Sequence, residues 1–339
     1  MAVYTHLGAE ALGELICAFN VGDLVSAKGI AEGVSNSNWL IETTGYGGGK
    51  TGHYSENGGA RFILTMFEGR TEIADLPFFL GLLDHLADKG CPVPRTIHDR
   101  DGASFRSLTG PDGEEKVVAL IEFLPGVSVS LPTPAQAHAV GIALAQMHKA
   151  VEGYDQNRRN TLALPEWRDL LEACKPEELA TIDPALGETV TRELAFLDAN
   201  WPRHLPTGVV HADLFPDNVL MLGETVTGLI DFYFSCTDII AYDVAVTHAA
   251  WCFDNAGRNF NPAISAALLK GYESVRPLSV EEREALPVLA RGAAMRFLST
   301  RAYDWINTPQ DALVVRKDPL AFARRLAFYA DPAHADVFA

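Results

Sequence analysis

Residues 208–234 read GVVHADLFPDNVLMLGETVTGLIDFYF. Asp213 and Asn218 stand five residues apart, and Asp231 follows at the end of an apolar run. Phosphoryl transfer needs a carboxylate that accepts the proton of the attacking hydroxyl, and it needs an amide oxygen and a second carboxylate that hold Mg²⁺ on the nucleotide phosphates. Magnesium prefers oxygen ligands. The stretch therefore predicts a phosphoryl-transfer loop beside a magnesium site.

HADLFPDN followed by LIDF resembles the catalytic and metal-binding loops of the kinase superfamily, in the branch of aminoglycoside and choline kinases. The resemblance implies that Asp213 is the general base and that Asn218 and Asp231 bind Mg²⁺. It implies a structural role for His211. It further implies ATP as the nucleotide and a two-lobed, protein kinase-like α+β fold, with a β-rich N-lobe, a mainly helical C-lobe and the active site in the cleft between them.

The sequence on the N-terminal side of this stretch is mainly strand-like. Runs rich in β-branched and aromatic residues predict strands, and apolar spacing predicts two helices. The predicted strands are 37–43, 61–68, 95–98, 104–108 and 117–123, and the predicted helices are 8–19 and 75–89. LPG at 124–126 interrupts the pattern. We therefore expect an N-terminal nucleotide-binding lobe at 1–123 and a C-terminal catalytic and substrate-binding lobe at 124–339.

Helical spacing dominates the second part of the chain. The predicted helices are 134–150, 166–174, 187–200, 240–253, 262–274, 281–304 and 319–329, and short strands are predicted at 208–210 and 227–232. His148, in the LAQMH run, is expected to be a packed helix residue rather than a catalyst. The resemblance implies that Asp243, in AYDVA, braces the catalytic loop.

Two segments are expected to contact the nucleotide. VVALIEFLPG at 117–126 resembles the hinge strand of these kinases, which implies that the backbone around Glu122 and Leu124 bonds adenine. Residues 32–38 precede a strand, as a loop that covers phosphates does. Their backbone N–H groups and hydroxyls suit an anion, and glycine allows close approach. The candidate phosphate-binding residues are Gly33, Ser35, Asn36 and Ser37.

The glycine-rich segment TGYGGGKTGHYSENGGA at 44–60 contains two misleading motifs. GGGKT resembles the end of a Walker A sequence, but the first glycine of that motif would fall at Thr44. GGGKTG at 47–52 satisfies GxGxxG, but a dinucleotide site needs a helix directly after it. A strand follows instead, so we expect a hairpin insertion.

One departure from the kinase pattern lies on the strand at 61–68. Kinases usually place a lysine there to pair the α- and β-phosphates, whereas this chain has Thr65. Lys28 or Arg70 is a candidate replacement, and both are equally plausible as surface charges. The same departure leaves open a nucleotide-binding pseudokinase. The presence of Asp213, Asn218 and Asp231 argues against it.

Several separated segments, among them KGIAEGVSNSNWLIET, FILTMFEGR and GLIDFYFSCTDIIAYDVA, also resemble bacterial homoserine kinases of the kinase-superfamily type. That resemblance implies phosphorylation of the side-chain hydroxyl of L-homoserine in threonine synthesis. Choline, an aminoglycoside or a thiosugar remains an alternative substrate. A protein kinase is disfavoured, because the chain has no DFG or APE run.

A zwitterionic substrate needs an arginine for its carboxylate and acids for its ammonium group. Arg296 and Arg301 are the candidates for the carboxylate, and Tyr233 is a candidate for the pocket wall. Asp217 and Asp238 are candidates for the ammonium group.

Composition limits the remaining possibilities. The net charge of −17 argues against nucleic acid and anionic membranes as partners. The five cysteines have no CxxC spacing, which predicts free thiols in a reducing cytosol: Cys17, Cys91, Cys174, Cys236 and Cys252. The N-terminus has no signal-peptide pattern and no apolar run reaches roughly 18 residues, so a cytoplasmic location is expected.

Overall fold

The computed structural model describes residues 8–30, 36–45, 59–67, 72–109, 113, 115–308 and 316–338. The chain forms two compact units. The first consists of Met1–Val127 together with Thr227–Tyr233, and the second of Ser128–Val226 together with Phe234–Ala339. The first unit therefore takes in a short segment from the second half of the sequence.

The first unit is built around an antiparallel sheet. Its described elements are α1 (Ala9–Ala18), β1 (Leu24–Ile30), β2 (Asn36–Thr43), β3 (Ala60–Phe67), α2 (Leu76–Asp88), β4 (Thr96–Ile97), β5 (Arg106–Thr109) and β6 (Glu115–Glu122). The six strands run in the order β1-β2-β3-β6-β4, with β5 also paired to β6. Every one of these described pairings is antiparallel.

The core of the first unit follows from the alternation of apolar residues along the strands and their helical spacing in α1. Leu12, Leu15 and Ile16 of α1 are buried in the same cluster as Ile41 of β2 and Leu64 of β3. Pro77 lies in the first turn of α2, where its missing N–H costs no helical hydrogen bond. The predicted helices and strands of this region are confirmed, with boundaries that differ by a few residues.

The second unit is mainly helical. The elements from Val127 onward are β7 (Val127–Ser128), α3 (Pro134–Ala150), α4 (Leu164–Glu172), α5 (Pro176–Ile182), α6 (Leu186–Asn200), β8 (Thr207–Val210), β9 (Val219–Leu222), β10 (Thr225–Leu229), β11 (Cys236–Ile239), α7 (Ile240–Trp251), α8 (Pro262–Glu273), α9 (Val280–Asn307) and α10 (Leu320–Ala330). β8 pairs with β11, and β10-β9-β7 form a second small sheet.

Local sequence signals set the N-terminal ends of two long helices. Thr133 caps α3, its hydroxyl accepting from Gln136 N while the Gln136 side chain accepts from Thr133 N. Ser279 and Glu282 form the same reciprocal capping box at the start of α9. Such caps satisfy N–H groups that the first helical turn leaves without partners. The predicted span of α3, 134–150, matches the observed helix at both ends.

The helices α3 and α8 pack at very close range. A Cβ atom on Gly141 would stand 2.2 Å from the carbonyl oxygen of Leu268, and one on Gly271 would stand 2.1 Å from that of His138. Glycine is therefore required at both positions. This contact fixes α3, which carries His148 toward the candidate site.

Some elements differ from the sequence-based prediction. The strand predicted at 227–232 ends at Leu229, and Asp231 follows with a positive φ of 64°. Five short elements, β1, β7, β9, β11 and α5, were not predicted from the sequence. All five cysteines are free thiols. Within the described ranges, no helix has the length and apolar character needed to span a bilayer.

Candidate active site

The loop that joins β8 to β9 holds two of the predicted residues together. Asn218 donates from Nδ2 to the carbonyl oxygen of Asp213 at 2.8 Å and to its Oδ2 at 3.1 Å. The Asp213 N–H lies 3.3 Å from Nδ1 of His211. The side chains of His211 and Asn218 therefore form hydrogen bonds within the loop itself. The His211 ring accepts from the Asp213 backbone, and Asn218 orients the Asp213 carboxylate.

Asp243, in the first turn of α7, supports this loop through two hydrogen bonds to its backbone. Its Oδ2 accepts from the His211 N–H at 2.6 Å, and its Oδ1 accepts from the Ala212 N–H at 2.8 Å. Ala212 has a positive φ of 64°. A non-glycine residue in this region is strained and persists only where its surroundings hold it. The bracing role predicted for Asp243 is thus confirmed.

His148 of α3 completes the support of the loop. Its Nε2 lies 3.1 Å from Oδ2 of Asp243, and its Nδ1 lies 2.8 Å from the hydroxyl of Tyr272. Burial alone would raise the pKa of Asp243, but hydrogen bonds and charge interactions with His148 and His211 lower it overall. His148 is buried, as predicted. Its bond to Asp243 was not predicted, because the two residues lie far apart in the sequence.

Arg296 of α9 reaches the same loop from the other side. Its Nη1 donates to the carbonyl oxygen of Ala212. The guanidinium also lies over the rings of Phe297 and Phe234, with its Cζ 4.6 and 5.6 Å from their centroids. Only 3 % of the residue is exposed. The structure thus places Arg296 as part of the loop's support.

Arg301, five residues further along α9, has different surroundings. Its Cζ lies 4.5 Å from the centroid of Phe322, and its Nη1 donates to the carbonyl oxygen of Asp318 at 3.3 Å. Burial, together with the charge of Arg325, lowers its pKa to about 10. The negative charges of Asp213, Asp217 and Asp318 act in the opposite direction. Arg301 therefore stays charged at neutral pH and interacts with the predicted base.

The two candidates for the ammonium group lie in different places. Asp217 follows Asp213 in the loop, is exposed, and has an Oδ2 atom 3.9 Å from Nζ of Lys317. Asp238 lies on β11, where its Oδ2 accepts from Asn160 at 2.6 Å and its Oδ1 accepts from the Ile239 N–H. Asp217 therefore shares the catalytic loop, whereas Asp238 is engaged in a structural bond.

In the first unit, Thr65 lies on β3, at the position where the kinase pattern predicts a lysine. It is 2 % exposed, and its hydroxyl donates to Oδ1 of Asn38 at 2.8 Å, its cross-strand partner on β2. The Tyr233 hydroxyl forms a hydrogen bond with Thr65. The Tyr233 ring packs edge-on against Phe67 and Phe79, at 5.3 and 5.8 Å between centroids. The side chains of Asn38, Thr65 and Tyr233 thus form a neutral hydrogen-bonded chain.

Asp231 also belongs to the first unit, two residues before Tyr233 and two after the end of β10. Its positive φ of 64° is a second strained position beside a predicted site residue. Burial raises the pKa of Tyr233, with the Thr65 bond opposing this effect and the charge of Asp231 adding to it.

The predicted nucleotide contacts are only partly described. Asn36 and Ser37 begin β2, where Ser37 is buried, and Gly33 and Ser35 lie outside the described residues. Glu122 ends β6. Its N–H donates to the carbonyl oxygen of Arg95 at 2.9 Å, and its Oε2 accepts from the Arg95 N–H at 3.3 Å.

Leu124 lies just beyond the end of β6. Lys28 is exposed on β1. Arg70 and most of the glycine-rich segment fall outside the described residues. The identity of the cation that substitutes for the strand lysine stays a prediction.

Residues 26–278 match the sequence profile of the phosphotransferase enzyme family, APH. The chain belongs to this phosphotransferase family. The match spans both the strands of the first unit and the catalytic loop of the second. It confirms the family resemblance of the HADLFPDN and LIDF segments.

Individual relatives agree with the family match. The chain is 49 % identical to the homoserine kinase of Azorhizobium caulinodans, with 97 % of this chain and 96 % of that protein aligned. It is 47 % identical to the homoserine kinase of Brucella anthropi over 97 % of this chain and 94 % of that protein.

A solved structure with a similar fold is that of the amicoumacin kinase hAmiN, with a TM-score of 0.69 and 16 % identity over 95 % of this chain and 93 % of that one. At that identity the likeness concerns the fold. The protein kinase-like α+β fold predicted from the sequence is confirmed.

Proposed function

We propose that this phosphotransferase is a homoserine kinase, which transfers the γ-phosphate of ATP to the side-chain hydroxyl of L-homoserine in threonine biosynthesis. The observation that carries the proposal is the alignment of two homoserine kinases, 47 and 49 % identical, over 97 % of the chain. The alignment includes the braced loop that carries Asp213. A cytoplasmic location stays a prediction.

Asp213 is assigned as the general base. It accepts the proton of the substrate hydroxyl as that oxygen attacks the γ-phosphate. Asn218 holds the carboxylate through Oδ2, and Asp243 and Arg296 fix the backbone on either side of Ala212. A base held in this way is already oriented toward the attacking hydroxyl, which reduces the entropic cost of reaching the transition state.

Asn218 and Asp231 are assigned as the magnesium ligands. Because Asn218 directs its Nδ2 to Asp213, its amide oxygen is turned away from that residue. An amide oxygen and a carboxylate suit a hard cation such as Mg²⁺. The bound cation would neutralise charge on the β- and γ-phosphates. The hAmiN structure is a complex with AMP-PNP and Ca²⁺, and a nucleotide analogue beside a divalent cation in that kinase supports the assignment.

The nucleotide is proposed to contact the first unit at two places. The backbone of Glu122 and Leu124, at the end of β6, is assigned to adenine. Residues at the start of β2 and immediately before it in the sequence are assigned to the phosphates: Gly33, Ser35, Asn36 and Ser37. Support for the phosphate site comes from backbone N–H groups and hydroxyls that suit an anion.

Arg301 is proposed to bind the homoserine carboxylate. It is charged at neutral pH and lies within the electrostatic reach of Asp213. Arg296 is a poor candidate because its guanidinium is buried against two rings and bonded to Ala212. Asp217, exposed on the same loop as Asp213, is proposed to face the substrate ammonium group. Tyr233 stays a candidate for the pocket wall.

The test is ADP release from MgATP with L-homoserine, compared with L-serine, L-threonine, choline and kanamycin. Selective turnover with L-homoserine supports the proposal. Turnover that is faster with another of these alcohols would retain the roles of Asp213, Asn218 and Asp231 but reject the substrate. ATP binding without turnover on any alcohol would instead indicate a pseudokinase, with Thr65 in place of the strand lysine as its cause.

A further inference from the structure

Ala212 is the residue directly before the proposed base, and its backbone is strained. Its φ of 64° lies in the left-handed region, which costs an alanine free energy that a glycine does not lose. The strained conformation persists only if neighbouring groups hold it. The two peptide groups that flank Ala212 are therefore the groups that decide where Asp213 points.

Each of those peptide groups is bonded to a buried charged side chain. The N–H of Ala212 donates to Oδ1 of Asp243 at 2.8 Å. The carbonyl oxygen of Ala212 accepts from Nη1 of Arg296. Hydrogen bonds from charged partners are about twice as strong as neutral ones. Asp243 is 0 % and Arg296 3 % exposed, so water does not replace either bond.

The bond from Arg296 is the one that controls Asp213 most directly. The carbonyl of Ala212 belongs to the peptide plane that joins Ala212 to Asp213. Restraining that carbonyl restrains ψ of Ala212 and φ of Asp213 together, and the Asp213 side chain leaves from the Cα atom at the end of that plane. Packing against Phe297 and Phe234 holds the guanidinium itself in place.

We propose that Arg296 is a positioning residue, which holds Ala212 in the left-handed conformation and so presents Asp213 to the reacting hydroxyl. The inference rests on the proposed phosphoryl transfer, since Asp213 is the base in that reaction. It assigns to Arg296 no contact with substrate. It therefore separates Arg296 from Arg301, although both arginines stand on α9.

The test combines Arg296→Met with Ala212→Gly. Arg296→Met is expected to lower kcat by about 10- to 100-fold, while the KM values for L-homoserine and ATP stay within about twofold, because the base is misplaced but substrate contacts remain. Adding Ala212→Gly to Arg296→Met is expected to restore kcat by about tenfold, since glycine adopts a positive φ without strain. A role in general folding alone would not produce this rescue.

Two further variants complete the design. Arg296→Lys keeps a donor for the Ala212 carbonyl and is expected to retain kcat within about threefold of the wild type. Because it keeps the charge, it also provides a folded variant if Arg296→Met does not accumulate. Arg291→Met is the matched control, because Arg291 is a partly buried arginine of α9 that binds Glu193 at 2.5 Å. It is expected to lower the melting temperature but leave kcat and both KM values unchanged.

An Arg296→Met or Arg296→Lys enzyme with normal kcat and a KM for L-homoserine raised more than tenfold would show that Arg296 reads the substrate, and would overturn the proposal. Absence of any rescue by Ala212→Gly would also overturn it. If the wild type prefers another alcohol, the same ratios are measured with that alcohol, so failure of the homoserine assignment stays distinct from failure of the positioning role.

Discussion

Asn218 holds Asp213 by two hydrogen bonds, from Nδ2 to its carbonyl oxygen at 2.8 Å and to its carboxylate Oδ2 at 3.1 Å. The five-residue spacing that identified the pair in the sequence thus has a direct geometric cause. The chain between them turns back through Pro216, so that an amide and a carboxylate meet. The proposed base and a proposed metal ligand are therefore one hydrogen-bonded unit.

Replacing the proposed base tests the chemistry itself. Asp213→Ala is expected to lower kcat by roughly 10²–10⁴-fold, the usual contribution of general-base catalysis. ATP affinity and the melting temperature are expected to change little, because the partly exposed side chain is not part of the core. The measurement is steady-state ADP release with L-homoserine. Glu224→Ala, at an exposed turn residue, is the control, and near-normal turnover by Asp213→Ala would refute the assignment.

Asn218 is expected to influence the metal as well as the base. Asn218→Ala removes an amide oxygen assigned to Mg²⁺ and the bonds that orient Asp213. The Mg²⁺ concentration for half-maximal turnover is expected to rise by about tenfold or more, with a fall in kcat. A magnesium titration at saturating ATP measures both effects. An unchanged magnesium requirement would remove Asn218 from the ligand set.

Arg301 is expected to control the affinity for the substrate carboxylate. Arg301→Gln should raise the KM for L-homoserine by about 10- to 100-fold, because a hydrogen bond to a charged group contributes about 1.5–3 kcal/mol. The KM for ATP is expected to stay constant. Arg291→Gln, on the same helix, serves as the charge-matched control.

A truncated substrate sharpens this test. 3-Aminopropan-1-ol has the hydroxyl and amine of homoserine but lacks the carboxylate. The wild type is expected to prefer L-homoserine strongly, whereas Arg301→Gln is expected to lose most of that preference. If the ratio of the two kcat/KM values is the same in both enzymes, Arg301 does not read the carboxylate.

The hydrogen-bonded hydroxyls of Thr65 and Tyr233 are expected to contribute jointly to the free energy of unfolding. Tyr233→Phe and Thr65→Val each remove one partner of the bond between their hydroxyls. Double-mutant analysis of urea unfolding is expected to give a coupling free energy of about 0.5–1.5 kcal/mol. Purely additive effects of the two substitutions on the free energy of unfolding would show that the bond contributes nothing.

His248 is expected to make stability depend on pH. It is fully buried in α7 between Tyr329 and Ser265, and burial lowers its pKa from 6.5 to about 3. Between those values the unfolded chain binds a proton that the folded chain does not. The contribution of His248 to the free energy of unfolding should therefore be fully present above pH 6.5. It should be lost as the pH decreases, by at most about 1.4 kcal/mol per pH unit.

The measurement for His248 is urea unfolding at several pH values between 7 and 4.5, a range above the ordinary pKa of Asp and Glu. His248→Gln keeps polar groups for both hydrogen-bond partners but does not titrate. In this variant the free energy of unfolding is expected to depend less steeply on pH between 7 and 4.5 than it does in the wild type, because the His248 contribution is absent. Equal slopes for the two proteins would mean that His248 titrates normally in the folded state.

Sequence reasoning succeeded where a local signal exists. The span of α3 was predicted from its helical spacing, and the catalytic loop was predicted from its residue types. It failed for β1, whose residues are mostly exposed and so show no apolar alternation, and for the short helix α5. The association of Thr227–Tyr233 with the first unit has no local signal.

The support of the catalytic loop was only partly visible from the sequence. Asp243 was predicted as its brace, because a family resemblance marked it. His148 was expected only to pack, and Arg296 was one of two candidates for the substrate carboxylate. Their bonds to Asp243 and Ala212 join residues that are 95 and 84 positions apart. Such contacts depend on helix packing, which no local pattern encodes.

The most direct test of the central claim is the identity of the product. Phosphorus NMR and mass spectrometry of a reaction containing MgATP and L-homoserine would follow the transferred phosphate. We predict a phosphate monoester on the side-chain oxygen of homoserine with the wild type, and at least about 100-fold less of it with Asp213→Ala. Equal amounts of product from both proteins, or no phosphorylated homoserine from the wild type, would contradict this claim.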